Sequence, residues 1–321
     1  MRVFRSLSPN AAGAPCALAI GNFDGVHKGH RALLQQLKTA ADRLGVLPTV
    51  LTFSPHPRQF FAKSAGKQVD TPITITPFRD KMQALAEAGV EQVCVARFDR
   101  EMAAMTASAF IEKVLVGALN ARWIIVGENF RFGKDRAGTT DLLVKAGKQQ
   151  RFEVRVMPAV MDGKDRVSSS GIRHALALGQ FDRVAQLLGR PYRLSGHVVH
   201  GDRLGRELGF PTANLPMEPY HPALSGVFIT RVYGVSRNPV PAVSMIGNRP
   251  TVMENGRTVL ETHLLGFSGV IYGALIKVEF LRKLRDNRKF PGLDALKTAV
   301  QQDIEKAKQY FSSLGCRAAI G

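Results

Sequence analysis

The first half of the chain alternates short apolar runs with longer segments in which apolar residues recur at helical spacing. Residues 17–20 form one such run, which ends at Gly21, and residues 33–44 carry the first helical stripe. The alternation continues, with strands predicted at 48–53, 92–96, 122–126 and 152–157 and helices at 77–88, 107–116 and 139–148. This order predicts a doubly wound α/β fold, a parallel sheet with helices on both faces. Such sheets bind ligands at the carboxyl ends of their strands, so the turns after residues 20 and 126 are the expected site.

After residue 188 the pattern of apolar residues along the chain changes. Two short helices, at 172–178 and 181–188, end the first pattern. Short runs rich in β-branched residues follow, separated by Gly, Pro and Asn, and they predict strands at 196–199, 227–232, 240–246, 258–265 and 275–281. In the last run Ile276, Val278 and Phe280 alternate with polar residues, as in a half-buried antiparallel strand. Strands at this spacing indicate a small barrel or a sandwich.

A single helix closes the chain, because apolar residues again recur at helical spacing. The members of this stripe are Leu293, Leu296, Val300, Ile304 and Ala307. The 321 residues therefore predict two domains. We expect residues 1–188 to form the doubly wound parallel sheet and residues 189–321 to form a small antiparallel β-barrel with a terminal helix.

The net charge of +18 means that the chain attracts polyanions, such as nucleic acids, anionic membranes or phosphorylated small molecules. The basic residues are spread along the whole length, and aromatic residues make up only 7% with no basic–aromatic stripe. This distribution favours a generally basic surface over dedicated nucleic-acid binding. We therefore expect no specific nucleic-acid partner.

The cysteines argue against a zinc site or a disulfide framework. Cys16, Cys94 and Cys316 are far apart and form no CxxC pair, which fits a reducing cytoplasm. Pro9, Gly13 and Pro15 interrupt any apolar leader at the N-terminus. Since no stretch approaches about 18 uninterrupted apolar residues, we expect a cytoplasmic protein with no membrane partner.

The densest candidate motif is GNFDGVHKGH at residues 21–30, where His27 and His30 open a helix directly after a strand. A helix N-terminus offers unpaired N–H groups and a positive dipole end that bind phosphate, and imidazoles can donate to phosphate oxygens. A second segment, SSSGIR at 168–173, combines hydroxyls and an arginine at another predicted helix start. Each segment alone is equally compatible with an ordinary turn or helix cap.

Together these segments resemble the HxGH nucleotidyltransferase superfamily. Within it, the match is closest to the adenylyltransferase module of the bacterial bifunctional riboflavin kinase/FAD synthetase family. The segments that carry this resemblance are GNFDGVHKGH (21–30), TFSPHP (52–57), VGENFRFG (126–133) and SSSGIR (168–173).

The resemblance implies roles for individual residues. His27 and His30 would contact the ATP phosphates and stabilise charge on the α-phosphate, and Arg173 would act with Ser169 and Ser170 on the β- and γ-phosphates. The residues expected to line the nucleotide pocket are Gly21, Asn22, Phe23, Asp24 and Gly25.

On the flavin side the resemblance implies His56 and Asn129. His56 lies in a Pro-His-Pro turn, so a rigid turn is the alternative interpretation. Asn129 stands where many relatives have Asp.

A second dense motif, GDRLGRELGFPTAN at residues 201–214, carries three glycines at spacing four, which suits a flap over phosphates. Pro211 fixes a turn after which Thr212 and Asn214 offer oxygen ligands for Mg²⁺, although a plain turn is the commoner explanation. A P-loop is excluded because the chain has no GxxxxGK[ST] segment.

This second segment resembles the riboflavin kinase signature that ends in Pro-Thr-Ala-Asn. The supporting segments are GVF (226–228), IGNRPT (246–251), LETH (260–263), YG (272–273) and FLRKLR (280–285), followed by Phe290. The resemblance departs at Gly266, where relatives often have Asp, and this puts flavin or loop contacts in doubt more than the kinase activity.

The resemblance implies that Gly201, Gly205 and Arg206 bind ATP, and that Thr212 and Asn214 hold Mg²⁺. Glu261 would be the general base that takes the proton of the ribityl 5′-hydroxyl, with an exposed strand Glu as the alternative. Arg285 would lie near the phosphates or the flavin, with a surface cation on the last strand as the alternative.

The expected function is therefore a two-step enzyme. Riboflavin and ATP give FMN, and FMN and a second ATP give FAD and pyrophosphate, with Mg²⁺ as cofactor. Two alternatives stay open: one module could be degenerate, or the +18 charge could mark a nucleic-acid-binding protein with a retired nucleotidyltransferase fold. The oligomeric state is not predicted.

Overall fold

The computed structural model describes residues 1–64, 74–201, 205, 208–217, 220–248 and 258–315. Contacts within the chain divide it into two compact units. The first comprises Met1–Pro72 and Lys81–Ser169, and the second comprises Ile73–Asp80 and Ser170–Gly321. The second unit thus includes residues that come before the domain boundary predicted after residue 188. That boundary concerns functional domains rather than compact units, and it stays a prediction.

The first unit is built on a six-stranded, entirely parallel sheet in the order β1-β4-β3-β2-β5-β6. Its strands are β1 Arg2–Phe4, β2 Cys16–Ile20, β3 Leu47–Ser54, β4 Gln92–Arg97, β5 Ala121–Gly127 and β6 Glu153–Met157. A two-stranded hairpin follows, made of β7 Met161–Asp162 and β8 Asp165–Arg166. The helices up to this point are α1 Lys28–Leu44, α2 Pro57–Ser64, α3 Phe78–Glu87, α4 Arg100–Ala104, α5 Ala107–Ala109 and α6 Thr140–Gln150.

Two apolar cores cover the two faces of this sheet, as the doubly wound prediction requires. Alternate residues of β2 point to opposite cores: Leu18 belongs to one cluster and Ala19 to the other. Helix α1 buries its predicted stripe from Leu33 to Ala41, whereas Leu44, at its last turn, is 38% exposed. Gly45 then ends the helix in the left-handed conformation (φ 62°) that glycine adopts without strain.

The helix predicted at 107–116 has a different form. Only Ala107–Ala109 is α-helical, and Phe110–Ala118 continues as a π-helix. The buried residues of that segment, Phe110, Ile111, Val114, Leu115 and Ala118, recur largely four apart. The wider π turn keeps such positions on one face, because its hydrogen bonds join residues i and i+5.

The second unit is a six-stranded antiparallel sheet in the order β10-β13-β12-β11-β14-β9. A backbone bridge between Val199 and Asn214 links its two ends, so the sheet curls into a nearly closed barrel. The strands are β9 Arg193–His197, β10 Ala213–Pro216, β11 Gly226–Tyr233, β12 Val240–Asn248, β13 Thr258–Leu264 and β14 Leu275–Arg285. The remaining helices are α7 Ser169–Ala177, α8 Phe181–Leu188 and α9 Leu293–Ser313. The predicted barrel with a terminal helix is confirmed.

Residues Ile73–Asp80 belong to the second unit although they come from the middle of the first. Thr74 pairs with Pro222, and the carbonyl of Ile75 accepts hydrogen bonds from the hydroxyls of Tyr192 and Tyr220, each at 2.9 Å. Helix α8 also packs in this unit, where Phe181 lies 5.8 Å from the ring of Phe280.

Helix α9 covers the outer face of β11 and β12. Ile304, Ala307 and Phe311 pack against this face, whereas Leu293 is 57% exposed and lies outside the core. Leu293 is nevertheless helical, as the predicted stripe requires, and it occupies the first position of α9 after Gly292. Asp303 is buried on the inner face of α9, where its carboxylate pairs with both Nε (2.9 Å) and Nη2 (2.8 Å) of Arg285.

We expect Asp303→Asn to lower the free energy of unfolding of the second unit by about 2–4 kcal/mol, because it leaves a largely buried guanidinium without its counter-charge. All five tyrosines lie in this unit and the single tryptophan, Trp123, lies in the other. The tyrosine circular dichroism transition in urea should therefore shift to lower urea. Glu305→Gln, on the exposed side of α9, should leave it in place. An unshifted tyrosine transition in Asp303→Asn would contradict the expectation.

Candidate active sites

A pocket of about 220 Å³ lies at the carboxyl ends of β2 and β5. These strands are neighbours in the sheet, and the strand order reverses between them, since β3 and β4 continue to one side and β6 to the other. Ligands of doubly wound folds bind at this kind of switch point. The lining includes Gly21 and Gly127, which follow and end these strands, together with His27, His30 and Ser169. The pocket therefore lies where the sequence predicted it.

The turn between β2 and α1 is strained. Phe23 and Val26 have φ angles of 48° and 40°, in the left-handed region that non-glycine residues rarely adopt. Both side chains are fully buried, and Val26 is β-branched, which makes this conformation less favourable still. Each such residue costs about 1–3 kcal/mol and persists only when its surroundings hold it in place.

Side chains from distant parts of the sequence hold this turn by its carbonyl groups. The Asn22 carbonyl accepts hydrogen bonds from Lys81 Nζ and Thr52 Oγ1, each at 3.3 Å. The Asp24 carbonyl accepts one from Ser169 Oγ at 3.2 Å. Sequence reasoning missed Lys81, which belongs to no motif, and it assigned no role to Thr52, although Thr52 opens the TFSPHP segment.

The two histidines of the motif lie against each other. His27 caps α1, where its Nδ1 accepts a hydrogen bond from the His30 backbone N–H at 3.2 Å. When the His27 ring is neutral, its proton is therefore on Nε2. The two rings stack with centroids 3.6 Å apart and planes 13° from parallel.

Two polar atoms at this site are buried and have no hydrogen-bond partner among the residues that the structure describes: His30 Nδ1 and Asn22 Oδ1. Buried polar groups are nearly always paired, so an exception of this kind calls for a ligand or water. Burial lowers the pKa of His30 well below its ordinary value, and the nearby His27 and Lys81 lower it further. The imidazole is therefore uncharged at neutral pH.

Arg166 also lines the pocket, and the motifs had not singled it out. Its guanidinium lies 3.4 Å from the Glu128 carboxylate. With the Asn129 amide turned so that its oxygen faces the guanidinium, that oxygen accepts from Nη1 at 2.7 Å and Nη2 at 3.1 Å. Asn129 is thus joined to the pocket through Arg166 and does not itself line it.

Other predicted residues of the adenylyl site are placed as follows. His56 is half-buried at the start of α2, and its Nδ1 accepts from the Arg58 backbone N–H at 3.1 Å, as in a helix cap. Ser170 is exposed and Arg173 half-buried on the first turns of α7, in the second unit.

The second site forms on β10 and β13. Asn214 and Glu261 stand directly opposite each other on these antiparallel strands, so their side chains share one face of the sheet. The Asn214 amide is almost fully buried and donates to the Thr212 carbonyl at 3.2 Å. The structure thus brings together residues that lie 47 positions apart in the sequence.

Gly201 lies against this amide, because a Cβ there would stand 2.5–2.8 Å from the Asn214 side-chain atoms. A Cβ at Gly205 would likewise stand 2.6 Å from the Phe210 carbonyl oxygen, so glycine is required at both positions. Arg206, the other predicted ATP contact of this segment, lies outside the described residues.

Two further predicted positions have structural explanations. Nε and Nη2 of Arg285 both contact Oδ2 of Asp303, and the guanidinium lies 5.5 Å from the Phe290 ring. Gly266 has a φ of 65° in the exposed turn after β13, a left-handed conformation that suits glycine and also tolerates Asp. Neither observation tests a role in flavin binding.

Comparison with known proteins bears on both units. The family model for FAD synthetase matches residues 10–171, and that for riboflavin kinase matches residues 188–311. The bifunctional riboflavin kinase/FMN adenylyltransferase of Escherichia coli K12 is 41% identical over 97% of this chain and 98% of its own length. This chain belongs to the bifunctional riboflavin kinase/FMN adenylyltransferase family. The member from Haemophilus influenzae is 40% identical over 98% of this chain and 100% of its own.

One solved structure shares the fold of this chain over nearly its whole length. It is a Streptococcus pneumoniae chain described as a macrolide-efflux protein, with a TM-score of 0.76 and 29% identity over 96% of this chain and 99% of that one. Within the described ranges, no helix of the present chain is long and apolar enough to cross a membrane.

Family membership confirms the predicted resemblance and its order along the chain. The FAD synthetase part comes first and the riboflavin kinase part second. Riboflavin, FMN, FAD and ATP follow as substrates and products of the two reactions. The roles of individual residues stay predictions at this point.

Proposed function

We propose that the pocket at the ends of β2 and β5 is where the adenylyl group of ATP is transferred to FMN. The observation that supports this most is the pair of buried, unpartnered atoms His30 Nδ1, on the first turn of α1, and Asn22 Oδ1, in the turn between β2 and α1. A phosphate or base placed there would supply the missing partners, and the helix end favours an anion.

In this reaction a phosphate oxygen of FMN attacks the α-phosphorus of ATP, and the bond to the β-phosphate oxygen breaks, which releases pyrophosphate. FMN phosphate is already anionic near neutral pH, so the site needs positioning and charge stabilisation rather than a strong base. His27 and His30 would donate to oxygens of the reacting phosphate. Ser169, Ser170 and Arg173 remain our proposed contacts for the departing pyrophosphate.

For the kinase step we propose that Glu261 accepts the proton of the riboflavin 5′-hydroxyl as that oxygen attacks the γ-phosphorus and ADP leaves. Its position opposite Asn214 supports this, because it sets a carboxylate beside the predicted cation ligands. Gly201 and Gly205 would let the backbone approach the phosphates, and Arg206 is retained as a predicted contact.

Mg²⁺ fits the oxygen donors of this second site. No cluster of three His, Cys, Asp or Glu residues suited to a metal occurs in the described part of the chain. Mg²⁺ does not need one, since it usually combines few protein oxygens with substrate phosphates and waters. Thr212 and Asn214 would hold the ion, and when bound it would neutralise charge on the phosphates of ATP. His56, Asn129 and Arg285 remain proposed flavin contacts, and a cytoplasmic location remains a prediction.

The direct test supplies purified protein with riboflavin, ATP and Mg²⁺ and separates the flavins by chromatography. We expect FMN to appear first and FAD after it, and we expect FMN with ATP to give FAD and pyrophosphate. Removal of Mg²⁺ with a chelator should stop phosphorylation of riboflavin. If FMN and ATP gave no FAD at any Mg²⁺ concentration, the proposal for the first pocket would fail.

A further inference from the structure

Lys81 occupies an unusual position for a lysine. It lies in the second turn of α3, one turn before Leu85, which is fully buried, so the helix directs Lys81 toward the interior. Its amine reaches the hydroxyl of Thr52 on β3, at 3.3 Å, and Thr52 is itself fully buried. Lysines are almost never placed this way without a specific partner.

The partner is the strained turn of the adenylyl pocket. Lys81 Nζ donates to the Asn22 carbonyl at 3.3 Å, and the Thr52 hydroxyl donates to the same oxygen. Asn22 immediately precedes Phe23, the first of the two residues with a positive φ. The side chain of Asn22 carries one of the two buried atoms that have no hydrogen-bond partner among the described residues. Lys81 therefore holds the backbone between Gly21 and Phe23, which both line the pocket, at the residue whose buried side-chain oxygen has no partner.

Lys81 also interacts electrostatically with charged and titratable groups of the pocket. Asp24 attracts the ammonium from the turn, while His30, stacked on His27, lies near it on α1. Burial lowers the pKa of Lys81 to about 8, and Asp24 partly opposes that change. The positive charge of Lys81 also helps to keep the His30 imidazole neutral in the free protein.

We propose that Lys81 is a positioning residue for adenylyl transfer: its ammonium group holds the Asn22 carbonyl so that the Asn22 side chain and His30 face ATP. This inference rests on the proposed function of the pocket. Lys81 does not line the pocket, so it acts through the turn and not by touching the reacting phosphates.

The first test is Lys81→Met, which keeps the length of the side chain and removes its charge. The value of kcat/KM for ATP in FAD synthesis should fall about 10- to 100-fold, the effect of losing a charge-assisted hydrogen bond. The riboflavin kinase rate of the same protein should stay within about twofold, which shows that the variant is folded. Gln83→Met places the same residue on the exposed side of α3 and should leave both rates unchanged.

The second test is the pH dependence of FAD synthesis, to which a lysine with a purely structural role would not contribute. In the wild-type protein kcat/KM for FAD synthesis should fall as pH rises through about 8, because the ammonium loses its proton. The Lys81→Met profile should lack this limb. Thr52→Val should cause a smaller loss, about 3- to 10-fold, and should retain the limb, since it removes the other donor to the Asn22 carbonyl.

These outcomes separate the two proposals. If wild-type protein makes no FAD, the proposed function itself fails. If it makes FAD but its profile is flat from about pH 7 to 9.5, or if Lys81→Met makes FAD at the wild-type rate, the role of Lys81 is overturned. Should Lys81→Met also lose kinase activity, the wild-type pH profile and Thr52→Val still decide the question.

Discussion

His30→Ala should slow FAD formation by about 10²- to 10³-fold, which is the usual loss when one donor to a developing anionic charge is removed. His30 lies in the pocket, and its buried Nδ1 forms no hydrogen bond within the described part of the free protein. The ring is therefore available to stabilise charge on the bound phosphates. The loss should therefore appear mainly in kcat, as expected for a contact that strengthens in the transition state.

The same preparation provides the control for His30→Ala. Given riboflavin, the variant should accumulate FMN at the wild-type rate, because the kinase site is built on other strands. Gln35→Ala, on the exposed face of the same helix, should leave FAD synthesis intact. A His30→Ala protein that makes FAD within about threefold of wild type would show that His30 does not act on the phosphates.

Glu261→Gln should have the opposite phenotype. Loss of a general base lowers the rate by about 10²- to 10⁴-fold, so conversion of riboflavin to FMN should nearly stop. Synthesis of FAD from added FMN should continue unchanged. The substitution keeps the size and shape of the side chain opposite Asn214 but replaces one acceptor oxygen with an NH2 donor, so the proton acceptor and its negative charge are removed.

Glu305→Gln, an exposed glutamate on α9, is the matched control and should phosphorylate riboflavin normally. Glu261→Gln activity that does not fall below about one-third of wild type would exclude the role of base. Mixing Glu261→Gln with His30→Ala protein should restore FAD synthesis from riboflavin, since FMN released by one variant can serve the other.

Much of the fold could be predicted from periodicity, because the apolar residues of each strand and helix recur within a short stretch of sequence. The apolar run of β2 and the stripe of α1 were enough to predict a strand, a helix and a site in the turn between them. The pairing of His27 with His30 was also local, since residues three apart share one face at a helix start.

The sequence could not predict which groups pair with individual charged residues such as Lys81 and Asp303. Lys81 looks like an ordinary helix lysine until β3 and the turn after β2 are packed beside it. Asp303 falls between apolar residues of α9, and only its contact with Arg285, 18 positions earlier, explains it. Both depend on tertiary contacts that leave no periodic signal. The place of Lys81 one turn before Leu85, on the side of α3 that faces the core, was the available clue.

The short segment Ile73–Asp80 shows that the chain is interleaved rather than modular. Its Ile75 carbonyl is the acceptor for two tyrosine hydroxyls of the barrel unit, and its Asp80 carboxylate accepts the Ser195 backbone N–H at 3.0 Å. A gene fragment that starts at residue 170 or 189 would encode every strand of the barrel and still omit these acceptors. Transplanting the kinase into another protein therefore requires this octapeptide as a separate graft, and a cut at any single point in the gene leaves one of the two halves incomplete.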